Sequence, residues 1–172
     1  MVNDLESILE CYNKMTNVIM LERNNIPTPR SSILSNKKSI EDAHQRVGGK
    51  FPVVLKTLTG TQGVGVSKVN DMSSLISVCQ SLWKFEADLL IQEFFDIKSD
   101  IRTLVVNGEI IGAAERTKKD SKEFRNNVHL GADTTPYVLT DLERKIIIEA
   151  ARTSGAVYCG VDHCKVGKNV YV

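Results

Sequence analysis

Lys56 is the residue around which phosphate chemistry can be built in this chain of 172 residues. It closes the apolar run Phe51-Pro52-Val53-Val54-Leu55, and Thr59, Gly60, Thr61, Gln62, Gly63, Val64 and Gly65 come closely after it. Glycines let backbone amides approach phosphate oxygens, and a lysine on the adjoining strand adds a point charge. The pair suits a nucleoside triphosphate. The glycines alone fit an ordinary hairpin tip equally well, but a lysine ending such a run would then be buried without an evident partner, which is costly.

Order and context separate this pattern from three other glycine motifs. A phosphate loop of the Gly-Lys-Ser/Thr kind ends in its lysine and opens a helix, whereas here the lysine comes first and the strand-like Val64-Gly65-Val66-Ser67-Lys68-Val69 comes after it. The dinucleotide fingerprint also needs a helix after its glycines. In protein kinases the glycine loop precedes the lysine strand, and the chain has no His-Arg-Asp triplet.

The surrounding elements are those of an α+β protein. Leu5, Ile8, Leu9, Tyr12, Met15, Val18, Ile19 and Leu21 recur at helical spacing from Leu5 to Arg23, before two prolines end the pattern. A second helix is expected over 39–46, capped by Ser39 and stopped by Gly48-Gly49. The two strands around the glycine loop form a hairpin, a helix opens at Asp71, and 88–95 returns as a strand. Next, 101–106 and 109–117 pair across Asn107-Gly108, a dipeptide made for a two-residue hairpin turn. The polar stretch 118–127 reads as a loop, 140–152 as a helix, and 156–166 as a final strand that leads into a turn and a further short strand. No repeat, low-complexity tract or flexible linker interrupts this order. The domains expected are 1–35 as opening helix and connection, 36–95 as the glycine-loop lobe and 96–172 as a second lobe, meeting at a cleft.

Composition narrows the partners. The chain is 42% hydrophobic, enough for a packed core, and its 22 Lys and Arg against 21 Asp and Glu leave a net charge of +1. No field favours nucleic acid or an anionic membrane, so any anion is caught locally. No apolar run approaches the roughly 20 residues of a spanning helix, and the acidic start is unlike a signal peptide, so the expected location is cytoplasmic. The four cysteines, Cys11, Cys79, Cys159 and Cys164, are irregularly spaced and read as reduced thiols. Cys159, His163 and Cys164 leave zinc open against buried thiols in a strand.

Taken in order, these segments resemble the ATP-grasp superfamily, and within it the RimK-like ligases that add glutamate or similar amino acids to a carboxylate. The likeness runs over nearly the whole chain. It implies an ATP-grasp fold, two α+β lobes holding the nucleotide, here incomplete at its C-terminal end. Asn13-Lys14-Met15 is similar to the family's opening helix, which makes Lys14 a phosphate ligand, with a solvated helix lysine as the alternative. Pro52 to Lys56 and Gly60, Thr61, Gln62, Gly63 and Gly65 match the lysine strand and phosphate loop. Gln92-Glu93-Phe94 resembles the segment that recognises adenine and ribose, though Phe94 is equally able to fill a core.

The same resemblance implies roles in the second lobe. Asp100 would contact nucleotide and Arg102 would stabilise transferred charge, or form a structural ion pair. Arg116 takes the place of an arginine that binds phosphate or acyl phosphate, a charge its fork of donors suits. Arg125, Asn126 and Asn127, with His129 and Gly131 after them, resemble the signature near the nucleotide and substrate carboxylate. Asn127 joins Arg102 and Arg116 as a catalytic candidate, while His129 orients neighbours rather than acting as a base. Asp162, at the end of the last complete strand, is the expected first magnesium ligand. In the family a Glu-x-Asn metal motif comes next and an additional α/β domain precedes the opening helix; this sequence stops before the first and starts after the second, as either a truncated piece or a natural short form would.

By this resemblance the expected activity is that of an ATP-dependent, ADP-forming carboxylate-amine ligase that uses Mg2+, with Mn2+ as an alternative. Its amine is an amino acid, glutamate among the candidates. Its acceptor is a small molecule, a peptide or a protein C-terminus, and a homo-oligomer is left open. A nucleotide-binding module without catalysis is the competing class.

Overall fold

A computed structural model describes residues 2–60, 64–119, 124 and 132–172. In chain order it contains helices α1 (Leu5–Tyr12) and α2 (Lys14–Arg23), strand β1 (Ser31–Leu34), a 3-10 turn (Lys37–Ser39) and α3 (Ile40–Arg46). Strands β2 (Val53–Thr57) and β3 (Val66–Val69), helix α4 (Met72–Trp83) and strand β4 (Leu89–Glu93) come next. The rest comprises β5 (Ser99–Val106), β6 (Glu109–Thr117), β7 (Asp133–Pro136), α5 (Asp141–Thr153), β8 (Tyr158–Val166) and β9 (Asn169–Tyr171). The chain divides into two compact units, one of residues 13–15 and 29–95, the other of 1–12, 16–28 and 96–172.

The first of these lobes is a four-stranded sheet in the order β1-β4-β2-β3, every pair antiparallel. Alternation along β2 and β4 turns Val53, Leu55, Leu89 and Ile91 to one face, where they bury among Ile40, Ala43, Val47, Leu75 and Cys79. Each fully buried aliphatic side chain of this kind contributes about 1.5–3 kcal/mol. The other face carries Lys56 and Gln92, which therefore stand beside one another. The glycine loop is the connection of the β2–β3 hairpin, and its central residues 61–63 lie outside the described residues.

In the other lobe five antiparallel strands run β7-β6-β5-β8-β9. Ile101, Val105 and Val161 pack with Leu139, Ile147, Ala150 and Ala151, so α5 covers the face made by the odd-numbered residues of β5 and β8. Asp100, Arg102, Gly160 and Asp162 stand on the opposite face. The β5–β6 turn is the expected Asn107-Gly108, with φ of 48° and 78°, the positive angles this hairpin turn requires. A register shift at Leu104/Val105 marks a bulge.

Several expectations from sequence need correction. The opening helix is two helices, because the Asn13 carboxamide accepts a hydrogen bond from Met15 N (2.9 Å) and starts a new one. Ser39 does not cap α3. Asn36 caps the preceding 3-10 turn instead, accepting from Lys38 N and Ser39 N while the Ser39 hydroxyl closes the reciprocal bonds. Gly48 and Gly49 do end the helix, with φ of 108° and 63°. Strands β1 and β7 were not anticipated, and β1 moves the start of the glycine-loop lobe upstream of residue 36. Asp162 is in the middle of β8 rather than at its end.

Helix α5 begins with a reciprocal cap. Glu143 N donates to the Thr140 hydroxyl, and the Glu143 carboxylate accepts from Thr140 N (2.7 Å), the Thr140 hydroxyl (2.7 Å) and the Tyr137 hydroxyl (3.0 Å). Burial alone would raise the Glu143 carboxyl, but the bonds from Thr140, Tyr137 and His163 outweigh it and hold it at about 2, against an ordinary 4.5. This depressed value contributes stability that is complete above about pH 4.5 and is lost as pH falls toward about 2. Thr140→Ala should lower stability by about 1 kcal/mol, read as a smaller urea midpoint at unchanged slope. Glu143→Gln should flatten the loss of stability between those two pH values.

Candidate functional site

In the glycine-loop lobe the cationic group of Lys56 is aimed by a short polar chain. Lys56 pairs with Leu90 across β2–β4 while Gln92 pairs with Val54, so the two side chains are diagonal neighbours on one face. Lys56 Nζ donates to Gln92 Oε1 (2.5 Å), Gln92 Nε2 donates to Ser31 Oγ (2.8 Å), and that hydroxyl donates to the Pro29 carbonyl (2.8 Å). Gln92 is buried, and the Ser31 contact orients its amide so that the oxygen faces the lysine. A second lysine joins the base of the glycine loop: Lys14 Nζ donates to the Gly60 carbonyl (3.0 Å) and Lys14 N to that of Leu58 (2.9 Å). Burial pushes the Lys14 ammonium below its ordinary value.

The loop is closed by Thr57, whose amide donates to the Gly65 carbonyl (3.0 Å) and whose hydroxyl donates to that of Thr59 (2.7 Å). Glu93, next to Gln92, has both carboxylate oxygens taken by Arg30: Nε and Nη2 donate to Oε2 at 2.9 and 2.6 Å, and the Arg30 amide to Oε1 at 2.8 Å. The Glu93 amide is taken as well, donating to the Arg30 carbonyl (2.9 Å). The Lys68 ammonium stands 4.2 Å from the centre of the Phe94 ring, a cation-π contact.

In the second lobe four charges form one cross-strand network. Register places Asp100 opposite Arg116 and Arg102 opposite Asp162. Arg116 grips Asp100 with two bonds, Nε to Oδ1 at 2.7 Å and Nη2 to Oδ2 at 2.8 Å, and Nη2 also reaches Asp162 Oδ1 at 3.1 Å. Arg102 Nη1 donates to both Asp162 oxygens, at 3.1 and 3.0 Å. Burial raises the Asp100 carboxyl against the pull of Arg116, while Asp100 and Asp162 keep the Arg116 guanidinium charged against its own burial. Arg116 is nearly enclosed, at 9% side-chain exposure, whereas Arg102 and Asp162 are half-exposed at 52% and 48%.

A magnesium ion bound with nucleotide phosphates takes one or two protein carboxylates. Asp162 offers one half-exposed hard-oxygen donor on the sheet face opposite α5, which fits a single ligand position. Among the described residues no three His, Cys, Asp or Glu side chains are grouped to hold a metal. Cys159, His163 and Cys164 do not converge: His163 and Cys164 are strand neighbours on opposite faces, and His163 Nε2 is 3.4 Å from Glu143 Oε1. Thr61, Gln62, Gly63, Arg125, Asn126 and Asn127, with His129 and Gly131, lie outside the described residues. No described helix is long and apolar enough to cross a membrane.

Sequence reasoning missed Arg30 and Ser31. Both belong to the unanticipated strand β1 or its approach, and only the pairing of β1 with β4 brings them to Glu93 and Gln92.

Solved ATP-grasp ligases superpose on nearly the whole of this chain, which defines the fold class. A D-alanine–D-alanine ligase from Bacillus anthracis superposes with a TM-score of 0.79 at 17% identity, covering 98% of this chain and 57% of that one. The ATP-grasp ligase PsnB, solved with a phosphomimetic variant of its minimal precursor, Mg and ADP, gives 0.74 at 19% identity over 99% and 51%. Residues 11–172 match the RimK-like ATP-grasp domain, and the chain belongs to that family. A probable alpha-L-glutamate ligase of Psychromonas ingrahamii is 34% identical over 94% of the chain and 53% of the relative. One from Pseudoalteromonas atlantica is 35% identical over 94% and 54%. The chain spans about half the length of the relatives it matches.

Truncating Arg116 and Arg102 should have unequal consequences for stability. Arg116→Ala leaves the largely enclosed Asp100 without its partner and is expected to cost on the order of 3 kcal/mol. Arg102→Ala removes a half-exposed pair and is expected to cost about 1 kcal/mol or less. Urea unfolding of the two variants side by side measures the difference.

Proposed function

We propose that the protein carrying this chain is an ATP-dependent, ADP-forming ligase that joins an amino acid to a carboxylate through an acyl phosphate. Glutamate is the amine favoured by the names of the relatives, and a peptide or protein C-terminus the acceptor. The observation that carries the reading is the convergence of Arg102 and Arg116 on the half-exposed Asp162, in a chain of the RimK-like family.

In this reading Lys14, Lys56 and the amides of Gly60 to Gly65 hold phosphate oxygens, with Gln92 aiming Lys56. The backbone of Gln92 to Phe94 recognises the adenine and ribose side. Asp162 holds Mg2+ or Mn2+, which when bound would neutralise charge on the transferring phosphoryl group. A carboxylate oxygen of the acceptor attacks the γ-phosphorus, the bond to the β–γ bridging oxygen breaks, and ADP leaves with the electron pair. The amine nitrogen then attacks the acyl carbon, loses a proton and expels inorganic phosphate. Arg102, Arg116 and Asn127 meet the negative charge that moves in both steps, while Asp100, Arg125 and Asn126 contact the nucleotide and the substrate carboxylate. Catalysis by such groups is positioning and electrostatics, with no covalent nucleophile.

The test is a calorimetric titration with ATP and magnesium, and then glutamate-dependent ADP release with candidate acceptors. Lys56→Ala and Asp162→Ala should each weaken ATP binding about tenfold or more, the scale of one charge-assisted contact. Unchanged affinity in Lys56→Ala sinks its phosphate role. Tight binding with no ADP release in the full-length protein favours a nucleotide-binding module without catalysis.

A further inference from the structure

Gly160 lies against the guanidinium of Arg102. It lies within β8 at an ordinary strand φ, so its backbone does not demand glycine, and a glycine weakens a strand. A side chain there would displace the end of Arg102. A Cβ built there would lie 2.5 Å from Arg102 Nη2 and 2.8 Å from both Cζ and Nε. Register puts Leu104 opposite Gly160 and Asp162 opposite Arg102, so the guanidinium leans diagonally along β8 onto the bare backbone. From that seat Nη1 reaches both oxygens of Asp162.

The two arginines on Asp162 are not equivalent. Arg116 is enclosed and anchored by two bonds to Asp100. Arg102 is half-exposed and is held by Asp162 and its seat on Gly160, so it is the one able to leave. While it is seated, its charge occupies the oxygens that a divalent cation would need.

We infer that Gly160 is a positioning residue that seats Arg102 over Asp162, so that Arg102 and a divalent cation exclude one another at that carboxylate. Arrival of the cation with its phosphates then frees Arg102 to meet the transferred charge. The inference rests on the reading of Asp162 as the metal ligand.

The experiment titrates Mn2+ into the full chain without nucleotide and reads free Mn2+ by its electron spin resonance. The proteins are the unaltered chain, Gly160→Ala, Arg102→Ala, Asp162→Asn and the double variant Arg102→Ala/Asp162→Asn, each checked for folding by circular dichroism. Gly160→Ala and Arg102→Ala should both bind Mn2+ about two- to fivefold more tightly, the scale of one competing half-exposed ion pair. The double variant should lose that gain. A gain in Arg102→Ala alone would overturn the role of Gly160, since Gly160→Ala keeps the charge and only removes the seat. No gain in either variant, with weaker binding in Asp162→Asn, would overturn the exclusion while leaving Asp162 as a ligand. Equal binding in Asp162→Asn and the unaltered chain would overturn the metal assignment itself.

Discussion

Two guanidinium groups share the carboxylate of Asp162, and the second lobe is arranged to make that possible. The arrangement depends on strand register. One residue of slip in β5 against β8 would turn Arg102 into the α5-covered core and bring Ile101 or Thr103 out, so the buried face and the charged face are specified together. The apolar side, with Ile101, Val105 and Val161 against Ile147 and Ala151, holds the register. The polar side uses it.

The two arginines differ in how far each departs from a surface ion pair. Arg116 is enclosed, and its bonds to Asp100 and Asp162 offset its desolvation. Arg102 remains in contact with solvent and can change partner at small cost. In the proposed ligase reaction the enclosed cation would keep the field and the half-exposed one would follow the transferred group.

The glycine-loop lobe solves a related problem with different groups. A lone ammonium on a half-buried strand face has many rotamers, and the chain from Lys56 through Gln92 and Ser31 to the Pro29 carbonyl selects one. Lys14 adds a second ammonium at Gly60, where helix α2 begins because Asn13 interrupts the preceding helix. The two lysines are far apart in sequence and adjacent to one loop.

Local pattern was sufficient for much of this. Alternation, the Asn107-Gly108 turn, Asp71 as a cap, and the glycine stops after α3 result from backbone sterics and local hydrogen bonds, which act over a few residues. The order lysine strand, glycine loop, strand was likewise legible, as the β2–β3 hairpin. Strands β1 and β7 were not legible, because each is four residues long and has little periodicity; pairing with β4 and β6 makes them strands. The roles of Arg30, Ser31 and Gly160 were hidden for the same reason. What makes them matter is a partner 63, 61 or 58 residues away, and only long-range pairing brings such partners within hydrogen-bonding or van der Waals reach.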